Sequence, residues 1–438
     1  MTLYHIIRPV ITLAFRLYFK KIQHFGAEKI PLGKPLIFSV NHPTGFFEPT
    51  VLACTFWEHD FYFITRGDMF KKPFYRRILE SFFMIPIYRF RDGFADMRLN
   101  QASMDLISQR LSEGKKIMIF SEGSTKTVKR LRPLQKGMAR MAFANFDKYG
   151  DLDLQIVPVG LTYSAPHEPR GEIMIRFGDA IPLSIYLEKY GQNAARSVND
   201  LTTDVAYAMQ NCVVHVAREE DDALAERLFL LYRNTFPLPV FPVMEHSERR
   251  LLAQQEMATN LNQLTDNQRL ALTERADIYF STLEKNGIED LAVAQPFHDN
   301  FNNLLTLIVG FVPFIVGWFG HWLPMWYARK VRNERVRFLE FKGPVFAGVA
   351  VGATLTQYIL LIIVAVIVGK LAFCIFVFLL PFAGFYALIY NDLWKNYRAV
   401  RRLKQLDTVD EGNPDKIGKG SKLPIWQAER TAILQTVR

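Results

Sequence analysis

The sequence is poor in the residues and patterns that mark several common protein classes. Its 438 residues include three cysteines, Cys54, Cys212 and Cys374, which are too scattered for a metal cluster or a disulfide framework. We expect them to be small buried residues, and we expect no metal. Zinc-finger spacing, RNP-like aromatic runs and dense Lys/Arg tracts are also lacking. The net charge of +10 therefore indicates an anionic bilayer or a phosphorylated substrate, with no nucleic acid as partner.

The N-terminal stretch lacks a small-residue cleavage site, and Arg8 and Arg16 interrupt its apolar residues. Both features argue against a signal peptide. They predict that residues 1–30 hold an amphipathic helix in the membrane interface, with Lys20 and Lys21 near the headgroups. A helix packed on the body of the protein is the alternative interpretation.

Short apolar runs alternate with longer amphipathic segments over residues 31–194. Because buried strands appear as continuous apolar runs, these runs predict strands. Strands that alternate with helices predict an α/β domain, with a mainly parallel sheet core flanked by helices. The predicted strands lie at residues 34–40, 60–65, 115–120, 154–163 and 172–178.

The segments on either side of the predicted membrane region differ from the α/β domain in residue composition. Residues 195–300 are rich in Glu, Arg, Gln, Ala and Leu and are predicted to form a helical lid or spacer. Residues 405–438 are predicted to form a polar, flexible tail. No internal repeat is visible, and the sequence leaves the oligomeric state open.

A membrane region is predicted between these two segments, over residues 301–404. The uncharged run at 345–369 is long enough to cross a hydrocarbon core of roughly 30 Å. A second run at 371–390 completes a predicted transmembrane helical hairpin. Basic residues on both flanks place its ends in the cytoplasm by the positive-inside bias. The segment 304–320 spans the membrane, re-enters it or lies in the interface.

The first candidate site is the stretch Asn41-His42-Pro43-Thr44-Gly45-Phe46-Phe47-Glu48-Pro49, which begins where a predicted buried strand ends. Ligands bind at such strand ends in open α/β sheets. A His with a carboxylate within two helical turns can form a general base and its orienting partner. A structural His with a nearby Glu is the alternative.

The second candidate site follows another strand and contains Glu122, Gly123 and Ser124. A Glu-Gly turn can present backbone N–H groups and a carboxylate to a polyol, and basic residues after it, including Lys136, can hold a phosphate. A third candidate is Arg89, directly after an apolar strand, where a guanidinium can grip a phosphate. A solvated basic face is the alternative for both.

In order, these stretches resemble the four motifs of the glycerolipid acyltransferase family, the lysophosphatidate and glycerol-3-phosphate acyltransferases. An Asn-His motif ending in an acid, an Arg motif, a Glu-Gly motif and a Val-Pro motif occur over residues 41–160. The Asn-His-Pro form and the C-terminal apolar region are similar to a bacterial branch. The sequence departs from the family motifs at two positions. The acid of the Asn-His motif is Glu48, whereas the family has an Asp one residue closer to the His. Ser121 stands where the family commonly has a Pro before Glu-Gly.

The resemblance implies a membrane-bound O-acyltransferase that moves an acyl group directly from acyl-CoA or acyl-ACP to a glycerophosphate-like hydroxyl. His42 would be the base and Glu48 its orienting partner. Arg89 would bind the acceptor phosphate, with Arg66 and Lys136 as further phosphate ligands. Glu122, Gly123 and Ser124 would bind the rest of the acceptor.

The partners implied are the acyl carrier and membrane lipids, without a separate cofactor, and the location is the cytoplasmic face of a bacterial inner membrane. Two other functions remain open. One is O-acylation of an aminolipid hydroxyl, and the other is lipid binding or scaffolding at an idle site.

Overall fold

The computed structural model describes residues 3–57, 60–88, 99–295, 301–411 and 422–437, apart from the side chains of 301–304 and 407–411. The chain divides into two compact units. The first, here called the sheet unit, comprises the chain up to His215, Pro242–Leu252 and Phe338–Pro344. The second, the helical unit, comprises Val216–Phe241, Ala253–Arg337 and the chain from Val345 onward.

The sheet unit is built on one sheet, in which nine strands are described, in the order β4-β3-β5-β2-β6-β7-β1-β9 with β8 paired to β6. Among the described strand pairs, only β6–β7 and β6–β8 are antiparallel, so the predicted mainly parallel sheet is confirmed. The strands are β1 (Lys21–Phe25), β2 (Leu36–Val40), β3 (Phe61–Arg66), β4 (Met84–Ile87), β5 (Lys116–Phe120), β6 (Gln155–Tyr163), β7 (Glu172–Phe177), β8 (Ile181–Pro182) and β9 (Met244–His246).

Helices flank this sheet, as predicted. They are α1 (Leu3–Tyr18), α2 (Phe47–Thr55), α3 (Pro73–Ser81), α4 (Asn100–Ser112), α5 (Gly137–Tyr149), α6 (Ser184–Gln192) and α7 (Ala194–Gln210). Helix α7 begins at the predicted boundary of the lid or spacer, yet Leu201, Val205 and Met209 are fully buried in the core beside Ile37 and Ile117. The compact unit therefore continues to His215.

The N-terminal prediction needs a correction. Helix α1 ends at Tyr18, and residues 21–25 form strand β1 inside the sheet. Lys21 does not lie near headgroups, because its side chain is fully buried and its ammonium lies 3.2 Å from the Glu245 carboxylate. Arg8 is also buried, and it donates to the carbonyls of Ala53 and Phe56 at the C-terminal end of α2. One face of α1 thus packs on the body of the protein.

Apart from β9, the regular elements described from residue 222 onward are helices. The helices are α8 (Asp222–Thr235), α9 (Arg249–Gln263), α10 (Asp266–Lys285), α11 (Asp290–Ala294), α12 (Phe301–Val309), α13 (Phe311–Arg335), α14 (Leu339–Val368), α15 (Leu371–Glu411) and α16 (Lys422–Gln435). Helix α16 corrects the prediction of a flexible tail. Its Arg430 is buried and donates to Asp290 at 2.9 Å, an ion pair that sequence composition does not reveal.

Two helices, α14 and α15, are long and apolar enough to cross a membrane. They correspond to the predicted hairpin and are joined at Gly369 and Lys370. Residues 304–320 fall in α12 and α13, which meet at Gly310 and, among the described helices, do not pass the same test of length and apolarity. Cys54 and Cys212 are buried as predicted, but Cys374 in α15 is exposed, because much of the apolar surface of that helix is not covered by protein.

Candidate active site

The candidate site lies at the carboxyl edge of the sheet, where adjacent parallel strands end together. Val40 at the end of β2 is in register with Phe120 at the end of β5. The register of β3 with β5 pairs Phe63 with Met118, and extending it brings Arg66 level with Ser121. The loops that carry the Asn-His and Glu-Gly motifs therefore begin at one edge, which is where ligands bind in open α/β sheets.

Asn41 joins the first of these loops to the neighbouring strand β6. Its side-chain amide donates to the Leu161 carbonyl at 3.0 Å, and its side-chain oxygen accepts from the Leu161 N–H at 2.8 Å. The side chain thus takes the place of a peptide group where β2 turns away from β6. Both groups of Leu161 are satisfied by this contact, as buried backbone groups require, and the position of the next residue, His42, is fixed.

The His42 ring is held on two sides. Its Nδ1 lies 3.0 Å from Oε2 of Glu48, and its ring stacks on the Phe120 ring with centroids 4.3 Å apart. Because an ionised carboxylate only accepts hydrogen bonds, Nδ1 carries the proton and the Nε2 lone pair is left as the proton acceptor. The imidazole retains 15% of its exposure while the Glu48 side chain has none, so a reactant can reach the ring but not its partner.

Glu48 is oriented by Thr44, a residue that sequence reasoning did not single out. The Thr44 N–H and hydroxyl both donate to Oε1 of Glu48, at 2.9 and 2.8 Å. Glu48 is also the second residue of α2, where the helix dipole favours a negative charge. Each carboxylate oxygen thus has a defined partner, and the oxygen that faces His42 is fixed in place.

Tyr163, at the end of β6, forms part of the buried surroundings of this carboxylate. Burial, together with the nearby Glu48 charge, raises the pKa of the Tyr163 phenol well above its usual range. The phenol is therefore neutral at physiological pH. It adds no second negative charge beside Glu48.

The second loop carries Glu122, whose carboxylate contacts protein on both oxygens. Oε2 accepts from the backbone N–H of His42 at 2.8 Å and from the Arg132 guanidinium at 2.8 Å. Oε1 accepts from the backbone N–H of Arg132 at 2.9 Å. Glu122 therefore connects the two loops and fixes the backbone that carries the His42 imidazole. In the sequence, Arg132 is one of several basic residues after the Glu-Gly motif, and nothing there indicates its contact with Glu122.

Gly123 and Ser124 complete this loop. Gly123 has φ +69°, a left-handed conformation that favours glycine, and a Cβ there would lie 2.8 Å from Cγ of Gln135. The Ser124 hydroxyl accepts from the Arg132 guanidinium at 2.7 Å, and Ser124 is exposed. The turn that the sequence predicted is present, and its serine lies at the surface beside Arg132.

A segment from much later in the chain, Phe338–Pro344, packs on the loop of His42; we call it the strap. The carbonyl of Glu340 accepts from the Gly45 N–H at 3.0 Å, and its carboxylate lies 3.4 Å from the N–H of Thr127. The Phe341 ring covers Gly45 so closely that a Cβ at Gly45 would lie 2.4 Å from it. No spacing in the sequence reveals a contact between residues almost 300 positions apart.

The three predicted phosphate ligands are distributed differently. Arg66 is exposed and pairs with Asp68 through two hydrogen bonds of 3.1 and 2.6 Å. Lys136 is exposed and lies just before the first residue of α5. Arg89 lies outside the described residues. The structure thus places Arg66 at the carboxyl edge of the sheet and Lys136 at a helix N-terminus, the part of a helix that favours anions.

Residues 21–162, which contain every loop described above, match the family model for acyltransferases. The chain is 27% identical over 194 residues to glycerol-3-phosphate O-acyltransferase 1 of Saccharomyces cerevisiae, covering 43% of this chain and 25% of that protein. It is 26% identical over 207 residues to an uncharacterised acyltransferase of Schizosaccharomyces pombe, covering 46% of this chain and 30% of that one. The chain therefore spans less than a third of the length of these two relatives.

A solved structure, the 1-acyl-sn-glycerophosphate acyltransferase PlsC of Thermotoga maritima, is 15% identical with a TM-score of 0.30, covering 45% of this chain and 80% of that one. The family match defines residues 21–162 as an acyltransferase domain. The yeast relative is a glycerol-3-phosphate O-acyltransferase, so this domain is similar to a member of the glycerolipid acyltransferase family.

Proposed function

We propose that the protein is a membrane-bound O-acyltransferase of phospholipid synthesis. It transfers a fatty acyl group from acyl-CoA or acyl-ACP to a hydroxyl of glycerol-3-phosphate or 1-acyl-glycerol-3-phosphate. The observation that carries this proposal is the pair formed by His42 and the fully buried Glu48, 3.0 Å apart at the carboxyl edge of the sheet. This pair lies inside the acyltransferase domain.

The proposed reaction is direct, without an acyl-enzyme. Nε2 of His42 takes the proton from the acceptor hydroxyl as the oxygen attacks the thioester carbonyl carbon. The C–O bond forms, the C–S bond breaks, and the departing sulfur receives the proton from the imidazolium. Glu48 stabilises the imidazolium in between and keeps the ring in the required tautomer.

Acceptor binding is assigned to the residues around this pair. We assign the acceptor phosphate to Arg89, with Lys136 and Arg66 as further ligands, because guanidinium and ammonium groups bind phosphate strongly. We assign the glycerol portion to Glu122, Gly123 and Ser124. Glu122 already has protein partners, but a carboxylate has about four lone-pair sites, so it can also accept from an acceptor hydroxyl.

The proposed location is the cytoplasmic face of a membrane, the inner membrane in a bacterial cell. Helices α14 and α15 support membrane association by their length and apolarity. The cytoplasmic side is supported by clusters of basic residues before and after them. These are Arg329, Lys330, Arg332, Arg335 and Arg337 before the helices, and Lys395, Arg398, Arg401, Arg402 and Lys404 in the last part of α15.

The test compares the purified wild type with His42→Ala, using His246→Ala as a matched control because His246 is an exposed histidine of the same unit. Each protein is given labelled acyl-CoA or acyl-ACP with glycerol-3-phosphate, lysophosphatidate or a lyso-aminolipid. We expect transfer to a phosphate-bearing acceptor by the wild type and by His246→Ala. In His42→Ala it should fall about 10²- to 10⁴-fold.

Each other outcome contradicts a defined part of the proposal. Equal transfer by His42→Ala and the wild type would remove His42 as the base. Transfer to the lyso-aminolipid alone would replace the acceptor class. No transfer by folded wild-type protein to any of these acceptors would favour lipid binding at an idle site.

A further inference from the structure

One surface of the sheet unit combines exposed aromatic rings with basic side chains. Helix α3 has no buried side chain, and Phe74 and Tyr75 are 70% and 51% exposed. Four exposed basic residues lie in the same short stretch, Lys71, Lys72, Arg76 and Arg77. We call residues 69–77 the basic aromatic segment. An ordinary surface helix turns its large apolar side chains inward, so this segment needs another explanation.

The basic aromatic segment is anchored in the fold at its start. Phe70 is 1% exposed, and the preceding Gly67 packs so closely on the Tyr88 ring that a Cβ there would lie 2.3 Å from it. The side chains that follow Phe70 are therefore presented outward from a fixed position. Glu80 is the only acidic residue over 71–80, against four basic ones. The presented surface is thus strongly positive as well as aromatic.

Helix α1 supplies a second exposed apolar surface in the same unit. Leu3, Ile6, Val10 and Leu13 are 40%, 57%, 38% and 60% exposed, and their spacing of three and four residues places them on one side of the helix. At the N-terminal end of α1, the Tyr4 ring lies 5.1 Å from the ring of Phe83, a residue that follows α3 closely in the chain. The N-terminal end of α1 therefore contacts the chain that follows α3.

We propose that the basic aromatic segment and the exposed side of α1 lie on a bilayer that contains anionic lipids. Aromatic rings are favoured at the level of the headgroups, the apolar side chains of α1 enter the boundary with the acyl chains, and the basic side chains are attracted to anionic headgroups. This contact is additional to the candidate spans α14 and α15. It belongs to the unit that carries His42 and does not depend on which reaction that unit catalyses.

The experiment uses the full-length protein reconstituted into vesicles. In a Cys374→Ser background, an environment-sensitive fluorophore is attached at Phe74→Cys or, as a matched control, at Tyr207→Cys. Tyr207 lies on α7 of the same unit and is 72% exposed, against 70% for Phe74. Cys54 and Cys212 are buried, so the engineered thiol reacts selectively. The vesicles contain phosphatidylcholine alone or mixed with phosphatidylglycerol, and spin-labelled lipids serve as quenchers.

We expect the label at position 74 to shift to the blue and to be quenched in vesicles with phosphatidylglycerol, severalfold more than the label at position 207. Lys72→Glu/Arg77→Glu should remove most of this difference, because it reverses two charges of the segment. The control Lys189→Glu/Arg196→Glu changes one lysine and one arginine that are exposed elsewhere in the unit and should have no effect.

Equal quenching at the two positions would overturn the proposal and would indicate that the segment contacts water or another protein. Equal quenching at position 74 with and without phosphatidylglycerol would overturn its electrostatic part. Acyl transfer measured in detergent micelles distinguishes this inference from the proposed function. Full transfer without quenching contradicts the bilayer contact alone, and quenching without transfer contradicts the reaction alone.

Discussion

The segments that follow β2 and β5 each carry one buried glutamate, and the two glutamates contact different groups. Glu48 accepts from the His42 imidazole and from Thr44. Glu122 accepts from the His42 backbone and from Arg132. One carboxylate therefore acts on the ring that changes its protonation state in the proposed reaction. The other acts on the chain that carries the ring.

This difference separates two requirements of general base catalysis. The base needs a partner that stabilises its charged form, and it needs a position fixed to a fraction of an ångström. In the proposed reaction, Glu48 would meet the first requirement, and Glu122 with the strap would meet the second. A change at Glu48 should therefore lower the rate with little loss of stability, whereas a change around Glu122 should affect both.

The largest effect is expected for Glu48→Gln. The amide has nearly the same shape but no negative charge, so it cannot stabilise the imidazolium. We expect kcat for acyl transfer to fall about 10³-fold, with a melting temperature close to that of the wild type. Steady-state kinetics and thermal unfolding measure the two quantities. A kcat within tenfold of the wild type would contradict the assigned role of Glu48.

A smaller effect on rate and a larger one on stability are expected for Arg132→Ala. The substitution leaves the Glu122 carboxylate buried with only backbone donors, which should cost about 2 kcal/mol of unfolding free energy. Because the His42 backbone shares Oε2 of Glu122 with Arg132, kcat should fall about tenfold. Denaturant unfolding and kinetics measure both effects.

The control for this prediction is Arg140→Ala, since Arg140 is exposed on α5. It should change neither quantity. The pair Glu122→Gln and Arg132→Ala should be less than additive, because each substitution breaks the same ion pair. Additive losses of stability would show that the two residues act independently.

The smallest effect is expected for Phe341→Ala in the strap. Losing the ring that covers Gly45 loosens the His42 loop without removing a polar group, so kcat should fall about threefold to tenfold, and KM should change less. Phe338→Ala is the matched control, because Phe338 lies in the same strap but is 69% exposed. If both variants retain the wild-type kcat, the strap does not position the loop.

The elements that could be predicted from the sequence are those formed by a continuous run of apolar residues. Strands β2, β5 and β6 are buried and appear as apolar runs, and the apolar helices α14 and α15 are visible for the same reason. Strand β1 was missed because it starts with Lys21, a residue typical of a surface. The buried Lys21 is tolerated because Glu245, more than 200 positions later, lies beside it.

The same distinction holds for the site. His42 and Glu48 could be predicted as a pair because they are six residues apart and follow a strand, and the structure places them 3.0 Å apart. Thr44 lies between them, but nothing in the sequence distinguishes its hydroxyl from that of a loop threonine. Arg132 and Glu340 act through contacts that depend on the tertiary fold, so residue type and spacing carried no information about them.

The position of the strap in the sequence has a consequence for biosynthesis. A ribosome completes residues 21–162 long before it reaches Phe338, so the acyltransferase domain emerges while Gly45 still has no Glu340 carbonyl to bind. The strap includes the first residues of α14, a candidate membrane span. The nascent domain can therefore acquire its complete His42 loop only after translation has reached α14, and the order of synthesis delays the assembly of the candidate site until then.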